Sequence, residues 1–90
     1  MEGLFYAGRQ MYLSKSDVQA IIDPSSSPIR EYMNAADKKG RLIKLNRGKK
    51  PRALVVMKNG TLYLSALSLR TLSQKFQTQS DVPDDDTSEE

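Results

Sequence analysis

The chain has no cysteine, no histidine and no tryptophan. Without cysteine no disulfide can staple the fold. With histidine missing too, only carboxylates remain as zinc ligands, so a structural metal site is not expected. The same gaps remove the commonest general base, the thiol nucleophile and most nucleophile–base pairs. Serine is present, but Ser14 and Lys15 are neighbours in a predicted strand and face opposite ways. The five glycines are scattered without a phosphate-loop spacing. No enzyme, cofactor, metal or small-molecule substrate is therefore expected. No run of 18 apolar residues occurs, and the N-terminus lacks the basic-then-apolar layout of a signal peptide. The expectation is a cytoplasmic protein that makes no use of a membrane.

Acid is also scarce, except at one end. Six of the eleven carboxylates lie in the last ten residues, as Asp81, Asp84, Asp85, Asp86, Glu89 and Glu90. Residues 1–80 carry all 14 Lys and Arg against five acids, a net of +9. From Lys38 to Ser80 there are eleven cations and no acid. Such a field favours a polyanionic partner. The final segment, 79–90, is too polar to offset its ordering entropy and is expected to be a disordered acidic tail behind a single domain, 1–78.

A 90-residue chain with 38% hydrophobic residues buries a thin core. With disulfides and metals excluded, self-association is the remaining aid to stability.

Local patterns predict an α+β chain with a small antiparallel sheet of five to six short strands and two helices. Leu4 to Ser14 reads as two strands around Ala7-Gly8, and Val18 to Ile22 as a third, ended by Asp23-Pro24. Ser27 can cap a helix with Pro28 in its first turn. Ile29, Tyr32, Met33 and Ala36 give that helix one apolar face, and Gly40 ends it. Arg41 to Leu45 is a weak strand. Ala53 to Ser65 is a hairpin about Asn59-Gly60; a two-residue turn would pair Met57 with Leu62, Val56 with Tyr63 and Val55 with Leu64. Both faces of this hairpin are apolar, so a second element or a second subunit must cover one of them. A last helix starts near Ser68, with Leu67 stapled on Leu72, and with Leu69, Leu72 and Phe76 on one face.

The segment that carries chemistry is Arg47-Gly48-Lys49-Lys50-Pro51-Arg52. It places four cations in six residues on a turn between strands. Phosphate binding needs long cationic side chains on an accessible protrusion with few acids to compete. Lys38, Lys39, Arg41 and Lys44 could extend the patch, although Lys38 and Lys39 also suit a helix C-terminus. Tyr6, Tyr12, Tyr32 and Tyr63 fall at expected core positions, which favours packing over base stacking.

In this order the strings resemble the RemA/RemB family of short bacterial regulators of biofilm matrix genes. The likeness begins at Met11-Tyr12-Leu13-Ser14 and Asp17-Val18-Gln19-Ala20-Ile21-Ile22-Asp23. It continues through Ser27-Pro28-Ile29 and Gly48-Lys49-Lys50-Pro51-Arg52-Ala53-Leu54-Val55-Val56. It closes with Tyr63-Leu64-Ser65-Ala66-Leu67 and Thr71-Leu72, so that it covers about residues 4–76. Ile21-Ile22-Asp23 and Tyr63-Leu64-Ser65 bring the chain nearer to RemB. The resemblance implies a small α+β subunit assembled into a ring-like homo-oligomer. It also implies double-stranded DNA bound along repeated basic residues, here Lys49, Lys50 and Arg52, with Arg47 beside them. RemA-type members carry arginines where Lys49 and Lys50 stand, and a further DNA-contacting arginine where this chain has Asp17. The expected function is transcriptional regulation of biofilm and extracellular matrix genes from the nucleoid. The other reading is an oligomeric interaction module whose basic face docks an acidic protein.

Overall fold

The structure, a computed structural model, describes residues 3–77; the expected acidic tail lies outside the described residues. The elements run β1 (Leu4–Gly8), β2 (Met11–Ser14), a short 3-10 turn (Lys15–Asp17), β3 (Val18–Ile22), α1 (Ser27–Lys38), β4 (Leu42–Lys44), β5 (Ala53–Met57), β6 (Leu62–Ser65) and α2 (Leu69–Gln77). The expected α+β class and two helices are present among the described residues. The single antiparallel sheet is not. β1 and β2 form a separate two-stranded sheet, and the other four strands are ordered β3-β5-β6-β4.

Within the larger sheet β4 pairs with β6 in parallel, Leu42 opposite Leu62 and Lys44 opposite Leu64. The reason is the crossover. β3 and β4 occupy opposite edges, about 14 Å apart at the usual strand spacing. The 12-residue α1 spans roughly 18 Å and carries the chain over the sheet face between them. The chain thus re-enters at the end from which β3 started, and β4 runs in the same direction as β3.

The hairpin register also differs from expectation by one residue: Val56 pairs with Leu62, Val55 with Tyr63 and Leu54 with Leu64. A three-residue turn replaces the two-residue one. Met57 N–H donates to the Thr61 carbonyl at 2.9 Å and Gly60 N–H donates to the Met57 carbonyl at 3.0 Å. Gly60 takes φ of +93°, while the Asn59 carboxamide oxygen accepts from Thr61 N–H at 2.9 Å. Gly60 is therefore the residue in the left-handed region, as in a type I turn closed by a glycine bulge.

All five residues of β5 are buried, which requires cover on both faces. On one face α1 packs Ile29, Met33 and the buried Ala36 against Leu54, Val56, Leu62 and Leu64. On the other, the β1–β2 hairpin supplies Phe5, Ala7 and Leu13, and α2 supplies Leu69, Leu72 and Phe76, against Ala53, Val55 and Met57. The chain thus covers both faces of its hairpin by itself. The two apolar faces do not require a second subunit.

The helix starts follow ordinary capping. The α1 cap is Ser26, one residue before the expected Ser27; its hydroxyl accepts from Ile29 N–H at 3.4 Å, and Ser27 opens the helix. Ser68 begins α2 as expected, its hydroxyl accepting from Thr71 N–H at 3.0 Å.

Tyr63 is half-buried against the core, but the other three tyrosines depart from the expected core positions. None is fully buried, and Tyr12 is 53% exposed. Alternation along the hairpin turns Phe5, Ala7 and Leu13 inward, which sends Tyr6 and Tyr12 outward as a directly opposed pair, ring centroids 5.3 Å apart.

Ser65 ties the layers together. It is fully buried; its hydroxyl donates to the Ala7 carbonyl at 2.7 Å and accepts from Leu67 N–H at 3.1 Å. Ser65→Ala leaves the Ala7 carbonyl and the Leu67 N–H without that partner, and should cost about 1–3 kcal/mol. Urea denaturation checks it; a cost below about 0.5 kcal/mol would show that neither group depends on the hydroxyl.

Candidate nucleic-acid interface

The expected basic segment joins β4 to β5, and its shape follows from two residues. Asn46 accepts at its carbonyl from Lys49 N–H at 2.9 Å, and its side-chain amide donates to the Lys49 carbonyl at 2.7 Å. Between them Arg47 and Gly48 have φ of +44° and +81°, the signature of a type I′ turn. Glycine takes that region freely, but an arginine there is strained by roughly 1–2 kcal/mol. The Asn46 clamp closes the turn through both main chain and side chain, and holds Arg47 in that conformation. The Asn46 side-chain oxygen is buried and, among the described residues, has no hydrogen-bond partner.

Both ends of the segment are anchored. Before it, Leu45 is buried and its N–H donates to the Leu64 carbonyl at 2.7 Å, extending the β4–β6 pairing. After it, Arg52 N–H donates to the Ser65 carbonyl at 2.8 Å. Arg47, Lys49, Lys50 and Arg52 are all exposed. Arg52 also lines a cleft of about 240 Å³ with Ala66, Leu67, Ser68 and Thr71. These residues surround the start of α2, whose N-terminal dipole end adds positive potential there.

Strand register decides which other charges share this end of the sheet. Ala53 opposite Ser65 and Lys44 opposite Leu64 define the loop end; Met57 and Leu62 lie toward the other. The exposed Lys44, at the close of β4, joins the cluster. Arg41 does not: it precedes β4, and its guanidinium donates to the Asn59 carbonyl at 3.0 Å, at the tip of the β5–β6 hairpin. Lys38 and Lys39, at the end of α1, belong to the chain entering β4 from that far end.

Asp17 is at the far end as well. β3 pairs Val18 with Met57, and the Asp17 carbonyl accepts from Lys58 N–H at 2.7 Å. Four residue steps of β5 separate Met57 from Ala53, about 14 Å. Within one subunit Asp17 is thus well removed from the basic turn. Asp23, which follows β3, falls at the loop end; its carboxylate accepts from Ser25 N–H at 2.9 Å. That bond to the charged form, from the Ser25 backbone and then its side chain, holds the Asp23 pKa below the ordinary value.

One cation here escaped the sequence reading. The β1–β2 turn is Arg9-Gln10, not Ala7-Gly8, and both turn residues have positive φ, +53° and +62°. Gly8, with φ of +122°, lies where an added Cβ would stand 3.6 Å from the Ser65 hydroxyl and 4.0 Å from Leu45 Cβ. The two turns therefore leave from neighbouring points of the fold, one just after Gly8 and one just after Leu45. No spacing rule would link Arg9 to residues some forty positions away. The sequence offered only Gly8, a glycine inside a strand pattern, which can mark a bulge but names no partner.

Comparison with known proteins gives a consistent picture. A family profile described as RemA-like, extracellular matrix regulatory protein A-like, matches residues 4–76. A Nitratidesulfovibrio vulgaris protein is 35% identical over 79 residues, 88% of this chain and 89% of that one. A Cyanothece protein is 36% identical over 76 residues, 84% of each chain. One from Desulfosudis oleivorans is 37% identical over 60 residues, 67% of this chain and 62% of its own length. All three are named for a regulatory role, none for a catalysed reaction. Among the described residues no helix is long and apolar enough to cross a membrane.

The strained turn makes a prediction independent of any ligand. Asparagine tolerates the left-handed region, so Arg47→Asn should raise stability by about 0.5–1 kcal/mol. Chemical denaturation measures it, and a clear loss of stability would show that Arg47 supports the fold.

Proposed function

The chain belongs to the RemA-like family of extracellular matrix regulatory proteins, and on that premise we propose that it is a DNA-binding transcriptional regulator of matrix genes, working as a ring-like oligomer. The observation that carries the reading is the exposure of Arg47, Lys49, Lys50 and Arg52 on one turn anchored at both ends. A rigid protrusion of cations, in a stretch of 43 residues without an acid, suits the phosphates of a duplex. Lysines supply charge without the bidentate geometry of arginine, so the contact reads backbone and shape more than base identity.

Repetition would multiply a modest site. One subunit offers four loop cations; a closed assembly offers the same set once per subunit, along a continuous path. Two features support assembly. Among the described residues no strand pairs with the outer edges of β3 and β4. Joining one such edge to the other is a head-to-tail contact, the kind that closes into rings. Ile43, on β4, is also 38% exposed.

Three measurements test the reading. Lys49→Ala, Lys50→Ala and Arg52→Ala together should abolish duplex binding at moderate salt with an unchanged circular dichroism spectrum. In variants that still bind, each phosphate no longer neutralised should flatten the log–log salt dependence by about 0.9. Unaltered affinity would move the interface elsewhere, and binding to polyglutamate but not to duplex would favour an acidic protein partner. Light scattering should give a multiple of the 10.1 kDa chain; a monomer at micromolar concentration would remove the ring. Asp17→Arg should tighten DNA binding through assembly, where a neighbouring subunit brings position 17 beside the bound phosphates. An unchanged affinity in the oligomer would place Asp17 away from the DNA path.

A further inference from the structure

We infer that Arg9 is a further phosphate-binding residue, which extends the basic turn into a two-turn surface that grips the DNA backbone. The inference deepens the DNA-binding reading and rests on it.

A two-residue β-hairpin turn of the β1–β2 type favours Asn-Gly, Asp-Gly or Gly-Gly, because both positions need positive φ. Here they are Arg9 and Gln10, neither of which gains from that region. The turn is held in place by its surroundings. Gln10 N–H donates to the Tyr6 hydroxyl at 3.2 Å. The Tyr6 ring is in turn fixed by the edge contact with Tyr12 and by Lys75 Nζ, 5.7 Å from its centroid. The exposed Arg9 therefore carries a long cationic side chain on a backbone fixed at its base.

Position adds a second, independent support. Ala7 is held to Ser65 by the 2.7 Å hydroxyl bond, and Gly8 lies next to Ser65 and Leu45. Arg47 follows Leu45 by two residues, and Arg52 N–H is bonded to the Ser65 carbonyl. Two type I′ turns, each with an arginine at its first left-handed position, thus project side by side from one end of the molecule. In the free protein this arrangement combines backbone strain with repulsion between like charges. A polyanion reverses the repulsion, and arginine suits phosphate through paired N–H donors. The sheet ends and the Tyr6 contact hold both turns before the ligand arrives, so little ordering remains to oppose binding.

The test is a salt series of fluorescence anisotropy titrations on a mixed-sequence DNA duplex, with the full chain. Arg9→Gly relieves the left-handed backbone and should fold at least as stably as the wild type. Its log–log salt slope should nevertheless be shallower by about 0.9 for each engaged subunit, uniformly across sequences. Between 50 and 200 mM salt one such contact corresponds to about a threefold smaller fall in affinity. Arg9→Lys should keep the wild-type slope, because the charge stays on the same turn. Lys58→Ala removes the same charge at the far end of the sheet and should keep it too. A wild-type slope for Arg9→Gly, beside a flattened slope for Lys49→Ala, would overturn the inference and leave the DNA reading standing. Equal flattening by Lys58→Ala would also overturn it, reducing the effect to general charge. A wild type without salt-dependent duplex binding, or a Lys49→Ala variant with an unaltered slope, would overturn the underlying reading itself.

Discussion

The arrangement depends on one buried hydroxyl. Ser65 closes β6, and in a plain strand its side chain would have nothing to do but pack. The β1–β2 ladder, however, shifts register between Tyr6 and Gly8, which leaves the Ala7 carbonyl to find a partner outside its own sheet. Ser65 supplies it, and the same oxygen accepts from Leu67 N–H, while the Ser65 carbonyl accepts from Arg52 N–H. The hairpin layer, the approach to α2 and the exit of the basic segment all meet at this residue. Gly8 completes the contact, because its left-handed backbone comes close to the hydroxyl.

That convergence explains why the cations of this chain do not act as one patch. Folding sorts them by strand end. Arg9, Lys44, Arg47, Lys49, Lys50 and Arg52 gather where β5 begins, whereas Arg41 and Lys58 go to the hairpin tip together with Asp17. Arg41 is further occupied in bonding the Asn59 carbonyl. An acid-free stretch of sequence therefore becomes a directional field, with its strongest part on turns that the sheet holds still.

The same organisation gives the core its cover within one chain. With α1 on one face and the β1–β2 hairpin and α2 on the other, the central strands are buried within a single chain. The surfaces left over are of another kind: the outer edges of β3 and β4, the outward Tyr6–Tyr12 pair, and Ile43. The core does not require them for its own cover.

Short-range patterns were enough to place most of the elements and to mark out the basic segment. Both helices, the β3 strand and the β5–β6 hairpin were legible because caps, glycines and apolar periodicity act over a few residues. Arg47 to Arg52 was legible because charge density is a local property. Register, sheet direction and neighbourhood emerged only in three dimensions. One glycine bulge shifted the hairpin pairing, a helix long enough to span the sheet made β4 parallel, and alternation sent Tyr6 and Tyr12 outward once Phe5 and Ala7 were committed to the core. Arg9 belongs to the basic end for the same reason. Ser65 joins two segments 58 positions apart, and a contact at that separation arises only from the packing of layers, which no local pattern encodes.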